Sequence, residues 1–233
     1  MKTCPFIKTL SNIEFFILFS LFWIGLGWLG VILALLGIFY LPVILLYLLG
    51  GIFILGYRLY SNPLKFTLKA QLPTITVIFC SLAIIFIISF YTTPTIFSGR
   101  DQGSISESAI RLSQNHQLPF SFEAQKEIFN IYGEGSALHF PGFAYNQQGD
   151  LITQFPVGYV SWLGIFYSYL GLPGLIVSNG VSSLIFILSF YFLCRNYLHT
   201  PQSLIATACA ITSFTFSWFF KFTLSENFAL AFG

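Results

Sequence analysis

One carboxylate of this chain, that of Asp101, lies where the sequence predicts a functional site. Asp101 lies in the segment 98–112, which directly follows an apolar run long enough to cross a bilayer and opens the one long polar segment of the sequence. An acid held at the mouth of a membrane-embedded cavity is by default a candidate functional residue. A carboxylate in such a place can act as a general base toward a hydroxyl group. Asp101 is therefore the first candidate catalytic residue.

The acidic residues are concentrated in this polar segment, residues 92–155. Six of the eight Asp and Glu residues lie there, namely Asp101, Glu107, Glu123, Glu127, Glu134 and Asp150. The whole chain is 56% hydrophobic and 8% charged, whereas soluble proteins average about 25% charged residues. The composition predicts an all-α polytopic membrane helix bundle that serves as a scaffold for one long loop.

Charge excludes the nucleic-acid-binding class, and the cysteines do not match a zinc motif. The net charge is only +2 and the ten Lys and Arg residues are scattered, so a nucleic-acid-binding surface is not predicted. The four cysteines (Cys4, Cys80, Cys194 and Cys209) are dispersed, without His at zinc-ligand spacing. They are predicted to be small buried hydrophobic residues, and no metal ligands are assigned.

The first apolar run must fold back on itself. Residues 15–57 carry no charge over 43 positions, a helix of roughly 65 Å against a hydrocarbon core of roughly 30 Å. Pro42 removes a backbone donor and disfavours helix at Leu41, so a turn is predicted at 37–42. Helices at 15–36 and 43–57 then form a hairpin within an N-terminal unit, residues 1–71. Six glycines (Gly25, Gly27, Gly30, Gly50, Gly51 and Gly56) would let the two helices approach closely.

The distribution of cations predicts the orientation of the chain. A third span is predicted at 72–91, and the positive-inside rule places the Lys and Arg residues before it (Lys2, Lys8, Arg58, Lys65 and Lys69) in the cytoplasm. The loop 92–155 is then extracytoplasmic, and residues 72–233 form the second unit. The predicted location is the cytoplasmic membrane.

The loop is predicted to hold interfacial helices. Apolar residues at helical spacing in 104–115 favour an amphipathic helix in the interface. Ser104 and Glu107 match a capping box, which gives Glu107 a structural role. Residues 133–155 are rich in Gly, Pro, Asn and aromatic residues, which is typical of an ordered irregular loop.

Residues 156–170 decide the rest of the topology. This apolar stretch has 15 residues, too few for a comfortable span, so it is predicted to be re-entrant or interfacial. Spans at 172–193 and 203–220 then bring the total to five. They place Arg195 in the cytoplasm and put Lys221 and Glu226 on the face of Asp101. A new apolar run, 228–233, predicts a fragment of a longer protein.

Several short motifs resemble one enzyme family. They are Asp101-Gln-Gly103, Ala109 and Leu112 in the amphipathic helix, His139-Phe-Pro-Gly-Phe143, Phe155-Pro-Val-Gly-Tyr159, Cys194-Arg195 and Leu224-Ser-Glu-Asn227. In this order the motifs look like the N-terminal part of integral-membrane glycosyltransferases of the GT-C fold. The resemblance covers residues 75–233 and is closest to the bacterial protein O-mannosyltransferases, aminoarabinose transferases and their lipopolysaccharide-modifying relatives.

The resemblance implies a reaction and a role for Asp101. Such enzymes transfer a sugar from a polyprenyl-phosphate donor to a lipid, glycan or protein acceptor on the extracytoplasmic face, using an acid in the first long external loop. That role maps onto Asp101. Two features depart from the family: Gln102 stands where a second carboxylate is common, and a hairpin precedes the helix that is usually first. Without an adjacent second acid, a divalent metal cofactor is left open.

Two cations are candidates for the donor phosphate. Sugar transfer from a phosphate carrier needs positive charge to stabilise the departing phosphate, which Arg100 or Lys221 could supply. Both side chains could equally extend along lipid toward its phosphates without a catalytic role. Asp101 has a structural alternative too, an ion pair with Arg100 or Arg111.

Three further residues are assigned to substrate binding. Gln102 can position a ligand through its amide, and Glu226 stands among apolar neighbours, where it either contacts the acceptor or serves as a polar packing partner. His139 lies among aromatic residues, and in a loop it can equally be a structural hydrogen-bonding residue.

Two functions of other classes compete with the transferase. A transporter or flippase of lipid-linked saccharides would place polar groups in broken helices at the bilayer midplane. A non-catalytic subunit for envelope assembly would not need an acid at the mouth of the third helix. Replacement of Asp101 separates these classes from an enzyme.

Overall fold

The computed structural model describes residues 12–61, 68–92, 96, 101–137 and 139–232. Within these ranges the chain is mostly helical, as the composition predicted. The elements are α1 (Asn12–Leu35), α2 (Leu41–Ser61), α3 (Leu68–Phe90), α4 (Asp101–Asn115), α5 (Glu123–Tyr132), β1 (Phe143–Tyr145), β2 (Leu151–Thr153), α6 (Val157–Leu170), α7 (Leu172–Tyr197), α8 (Thr200–Ile211), α9 (Phe214–Lys221) and α10 (Ser225–Phe232).

Among the described residues, four helices are long and apolar enough to cross a membrane. They cover Glu14–Leu35, Leu41–Ser61, Leu72–Phe90 and Leu172–Tyr197, and they coincide within a few residues with four of the five predicted spans. The fifth, predicted at 203–220, is broken into α8 and α9, which meet at 52° and qualify only as a pair. The break follows from Ser213, whose side chain caps α9 by accepting from Phe216 N at 3.2 Å.

The predicted hairpin of α1 and α2 is present, with its turn at residues 36–40. Gly37 takes a positive φ of 68° there, a conformation that costs glycine little. Helix α2 begins at Leu41, two residues earlier than predicted, because proline is tolerated in the first turn of a helix. A Cβ at Gly25 would overlap the Tyr47 hydroxyl, and one at Gly51 would overlap the Phe22 ring. These two glycines therefore do permit the close approach.

The other glycines of the hairpin, and the cysteines, have different surroundings. Gly30 faces α6, since a Cβ there would lie 2.9 Å from Ile165 Cδ1, while Gly50 and Gly56 have open space around them. Cys80 and Cys209 are exposed on α3 and α8, and Cys194 is half-buried. The prediction of buried cysteines is therefore wrong for Cys80 and Cys209. Their helices present these faces outward, where an apolar side chain can face lipid.

Helix α6 occupies the centre of the molecule. Its residues Tyr159, Trp162 and Leu163 are fully buried, and the helix packs against α1, α4 and α7. It runs antiparallel to the first part of α7, where Trp162 Nε1 donates to the Ser178 carbonyl oxygen at 3.3 Å. Near the connection, a Cβ at Gly174 would overlap the main chain of Phe166. The short apolar stretch is thus a core helix.

Helix α4 begins three residues before the predicted start. Ser104 consequently lies inside the helix and donates to the Pro141 carbonyl oxygen at 2.9 Å. Glu107 pairs with Arg111 at 3.5 Å. The predicted capping box is therefore wrong, because a serine within a helix cannot cap its start. The apolar face of α4 packs on α6 in the main core, so it is covered by protein.

The rest of the polar segment has regular structure as well. Strands β1 and β2 pair antiparallel, and Phe120 bridges to Leu151. Phe120, Phe143 and Leu151 form a small buried cluster under this hairpin. The loop predicted as irregular at 133–155 thus contains a β-hairpin. Its turn is closed by Asn146 Oδ1, which accepts from the backbone N–H of Asp150 at 2.8 Å.

Candidate functional site

Asp101 is the first residue of α4, and its side chain is exposed. A carboxylate in the first turn is stabilised by the positive end of the helix dipole. Among the residues that the structure describes, no cation pairs with it. Arg111 pairs with Glu107 and lies 5.3 Å from the centroid of the Phe120 ring. The predicted alternative of an ion pair with Arg111 is therefore not formed, and Arg100 lies outside the described residues.

Two distant segments meet the first turn of α4. On one side, the Thr223 hydroxyl donates to the Gln102 carbonyl oxygen at 2.9 Å and lies 2.8 Å from the Ser106 hydroxyl. On the other side, the Ser104 hydroxyl donates to the Pro141 carbonyl oxygen at 2.9 Å. The turn that begins with Asp101 is thus held between two pieces of chain that the sequence had assigned to substrate binding.

Lys221 and Glu226 flank the Thr223 contact. Lys221 ends α9, is exposed, and has its Nζ 5.8 Å from the centroid of the Phe222 ring. Glu226 is exposed in the first turn of α10. Both residues lie within three positions of Thr223, so the chain around them meets the first turn of α4, although they follow Asp101 by 120 or more positions.

His139 lies against the β-hairpin. Its Nδ1 accepts from the Tyr145 backbone N–H at 3.3 Å, and its ring centroid is 6.1 Å from that of Tyr145. The Tyr145 hydroxyl donates to the Gln125 carbonyl oxygen at 3.0 Å, and burial raises the pKa of this phenol above its ordinary value of 10.0. His139 thus makes a structural hydrogen bond, which was one of the two roles that the sequence allowed for it. Its link to α4 is indirect, through the Pro141 carbonyl.

Sequence reasoning missed a buried polar network beneath the site. Asn179 of α7 is 3% exposed, and its Oδ1 accepts from the Tyr159 hydroxyl at 2.8 Å. Its Nδ2 donates to the Phe222 carbonyl oxygen at 2.9 Å, one residue before Thr223. The sequence did contain a signal for this network, namely an asparagine within an apolar helix. Such an amide is expected to bond to another protein group rather than to face lipid.

An apolar groove lies between α1, α6 and α10. Its volume is about 400 Å³, and it is lined by Ile24, Gly27, Trp28, Val31, Gly158, Phe228 and Phe232. This volume falls in the range of roughly 300–1,000 Å³ that small-molecule sites occupy. Helix α10 connects the groove to the polar site, since it carries Glu226 in its first turn and Phe228 in the groove wall.

Across the described ranges, no group of three or more His, Cys, Asp or Glu side chains could hold a metal ion. Comparisons with protein-family models, with curated proteins and with solved structures found no match to this chain.

Proposed function

We propose that this protein is a membrane glycosyltransferase that transfers a sugar from a polyprenyl-phosphate donor to an envelope lipid, glycan or protein acceptor. The observation that carries the proposal is the convergence at the start of α4. There an exposed acid, Asp101, precedes Gln102, whose carbonyl oxygen accepts from Thr223, and Lys221 and Glu226 lie within three positions of Thr223 in the chain. The order of motifs that resembles GT-C glycosyltransferases supports the same reaction.

Each group of this cluster has a role in the proposed step. The bond between the anomeric carbon and the donor phosphate breaks, and a bond forms between that carbon and the acceptor oxygen. Asp101 accepts or orients the proton of the acceptor hydroxyl. Lys221 stabilises the charge on the departing phosphate, and Glu226 contacts the acceptor. Arg100, which precedes Asp101 in the sequence and lies outside the described residues, is the second candidate cation for the phosphate.

The apolar groove supports a lipid-linked donor. An isoprenoid chain needs apolar walls, and all seven lining residues of the groove are apolar or glycine. Because α10 joins the groove to Glu226, a carrier chain in the groove would bring its phosphate toward the start of α4. A nucleotide-linked sugar would make no use of this groove.

The proposed membrane arrangement has the N-terminus in the cytoplasm and residues 92–155 outside. Helices α1, α2, α3 and α7 cross, and the bent pair of α8 and α9 provides the fifth crossing. Helix α6 has 14 residues, about 20 Å of helix, and is paired with the first part of α7. This pairing favours a re-entrant position for α6 over one flat on the membrane surface.

One observation favours a second function. The break between α8 and α9 at 52° is a feature that transporters use to build a substrate site. A flippase of lipid-linked saccharides is therefore the alternative. The two functions differ in covalent outcome, because a flippase moves the carrier and sugar together whereas a transferase separates them.

The test uses purified protein in vesicles with a panel of polyprenyl-phosphate pentoses and hexoses, each labelled in the sugar. An envelope extract supplies the acceptors. We expect label to leave the carrier and become covalently attached to an acceptor with one donor class. Relocation of an intact donor across the bilayer, without label transfer, would replace the transferase with the flippase.

A further inference from the structure

The connection between α9 and α10, residues 222–224, has no helical hydrogen-bond ladder of its own. Phe222 is extended, with φ −120° and ψ 157°. Its carbonyl oxygen accepts from Asn179 Nδ2 at 2.9 Å as well as from the Leu224 backbone N–H at 3.0 Å. The position of this connection relative to α7 is therefore set by the Asn179 side chain.

Asn179 is itself held at its other end. Its Oδ1 accepts from the Tyr159 hydroxyl of α6, so both ends of the amide are bonded to different elements. The side chain is 3% exposed and lies on the face of α7 that also carries the buried Ser178 and Ser182. An amide bonded at both ends cannot rotate without breaking a buried hydrogen bond, which is costly to leave unmade.

Thr223 continues this chain of contacts to α4. It is 5% exposed, and its hydroxyl, the Ser106 hydroxyl and the Gln102 carbonyl oxygen lie within 2.8–2.9 Å of one another. Two hydroxyls have only two hydrogens for these three contacts. With Thr223 donating to the Gln102 carbonyl oxygen, these contacts join the connection to the first turn of α4.

We propose that Asn179 and Thr223 are positioning residues that set the distance between Asp101 and the pair Lys221 and Glu226. Asn179 fixes the connection on α6 and α7, and Thr223 fixes the α4 turn on the connection. The effect on turnover rests on the proposed function, whereas the effect on distance does not. A misplacement of about 1 Å can cost about 100-fold in rate.

The distance is tested first, without reference to activity. Spin labels are placed at positions 101 and 221 of the cysteine-free full chain in lipid nanodiscs, and their dipolar coupling is measured. We expect Thr223→Val to broaden the distance distribution and Thr223→Ser, which retains the hydroxyl, to restore it. The matched control is Thr207→Val, because Thr207 is also buried but its hydroxyl bonds within its own helix, to the Ser203 carbonyl oxygen.

Activity is tested second, in the unlabelled protein. We expect Thr223→Val to lower kcat by about 10–100-fold with a smaller change in the donor KM, and Thr223→Ser to recover most of it. Asn179→Ser, whose side chain is too short to reach the Phe222 carbonyl, should broaden the distance distribution in the same way. It replaces Thr223→Val if that variant does not fold.

The outcomes separate the two proposals. An unchanged distance distribution in folded Thr223→Val or Asn179→Ser overturns the positioning role. Broadening in these variants, together with a wild type that transfers no sugar from any donor, retains the positioning role and rejects the transferase. A loss of kcat equal in Thr223→Ser and Thr223→Val also contradicts the inference, because the hydroxyl would then be irrelevant.

Discussion

The hydroxyl of Thr223 donates a hydrogen bond to the carbonyl oxygen of Gln102 at 2.9 Å, across 121 positions of sequence. This contact places the ends of two helices, α9 and α10, next to the exposed acid that begins α4. It uses the main chain of Gln102 and leaves the Gln102 amide available. We therefore expect replacements of Asp101 and of Gln102 to affect activity differently.

Asp101→Asn should abolish most of the sugar transfer. The amide keeps the size of the carboxylate but cannot accept the acceptor proton, and general acid–base catalysis contributes about 10²–10⁴-fold. We therefore expect a loss of turnover of about that size, measured as label released from the polyprenyl carrier. Size-exclusion chromatography in detergent should show a folded protein. Near-normal transfer by this variant from every donor accepted by the wild type would remove the proposed mechanism.

Gln102→Ala is the matched variant one residue away. Its backbone carbonyl still accepts from Thr223, so the position of the connection should be retained. We expect a smaller loss of turnover than for Asp101→Asn, because an amide can only orient a ligand. A loss as large as that of Asp101→Asn would show that the essential group had been assigned to the wrong residue.

The membrane arrangement predicts two accessible faces. Single cysteines at Asp101, Asp150 and Glu226 should react with an impermeant thiol reagent added outside, whereas cysteines at Lys69 and Arg195 should react only after permeabilisation. The measurement is labelling of intact and permeabilised cells that carry each variant of the cysteine-free protein. Labelling of positions 150 and 195 from the same side would contradict the proposed topology.

Gly174→Ala should destabilise the hairpin of α6 and α7. A Cβ at this position overlaps the Phe166 main chain, which cannot move aside as a side chain can. Overpacking of this kind costs about 1–3 kcal/mol. The matched control is Gly50→Ala in α2, where the added methyl meets open space. Thermal unfolding in detergent should show a lower Tm for Gly174→Ala and no decrease for Gly50→Ala, and equal Tm values would refute the packing argument.

Alkaline pH should weaken the β-hairpin through Tyr145. Burial raises the pKa of this phenol in the folded state. Its contribution to the stability of the hairpin is therefore complete below about pH 10 and is lost as the pH rises through the folded-state pKa. Tyr145→Phe cannot ionise and should show less alkaline loosening. Limited proteolysis of the 133–155 segment between about pH 8 and about pH 11 measures this. The exposed Tyr132, changed to Phe, is the control, and an identical pH profile for wild type and Tyr145→Phe would contradict the prediction.

Local pattern was sufficient for the predicted helices of the bundle. Hydrophobic length and the rise of a helix depend on consecutive residues, so the spans near 15–36, 43–57 and 72–91 were predictable to within a few residues. The turn before Pro42 was predictable to within two residues, because proline is tolerated in the first turn of a helix but not in its interior. The expected effect of Pro42 on Leu41 was wrong, since Leu41 begins α2. The break between α8 and α9 was missed because Ser213 acts as a cap only once its side chain turns back to the Phe216 N–H.

The position of the candidate site depends on contacts between distant residues. The sequence alone indicated Asp101 as the acid and favoured a common membrane face for Lys221 and Glu226. Periodicity carries no information about which distant segments meet, so only the tertiary structure decided that Thr223 bonds to the first turn of α4. It also decided that α6 is buried at the centre, because that outcome required α1, α4 and α7 to pack around one short apolar helix.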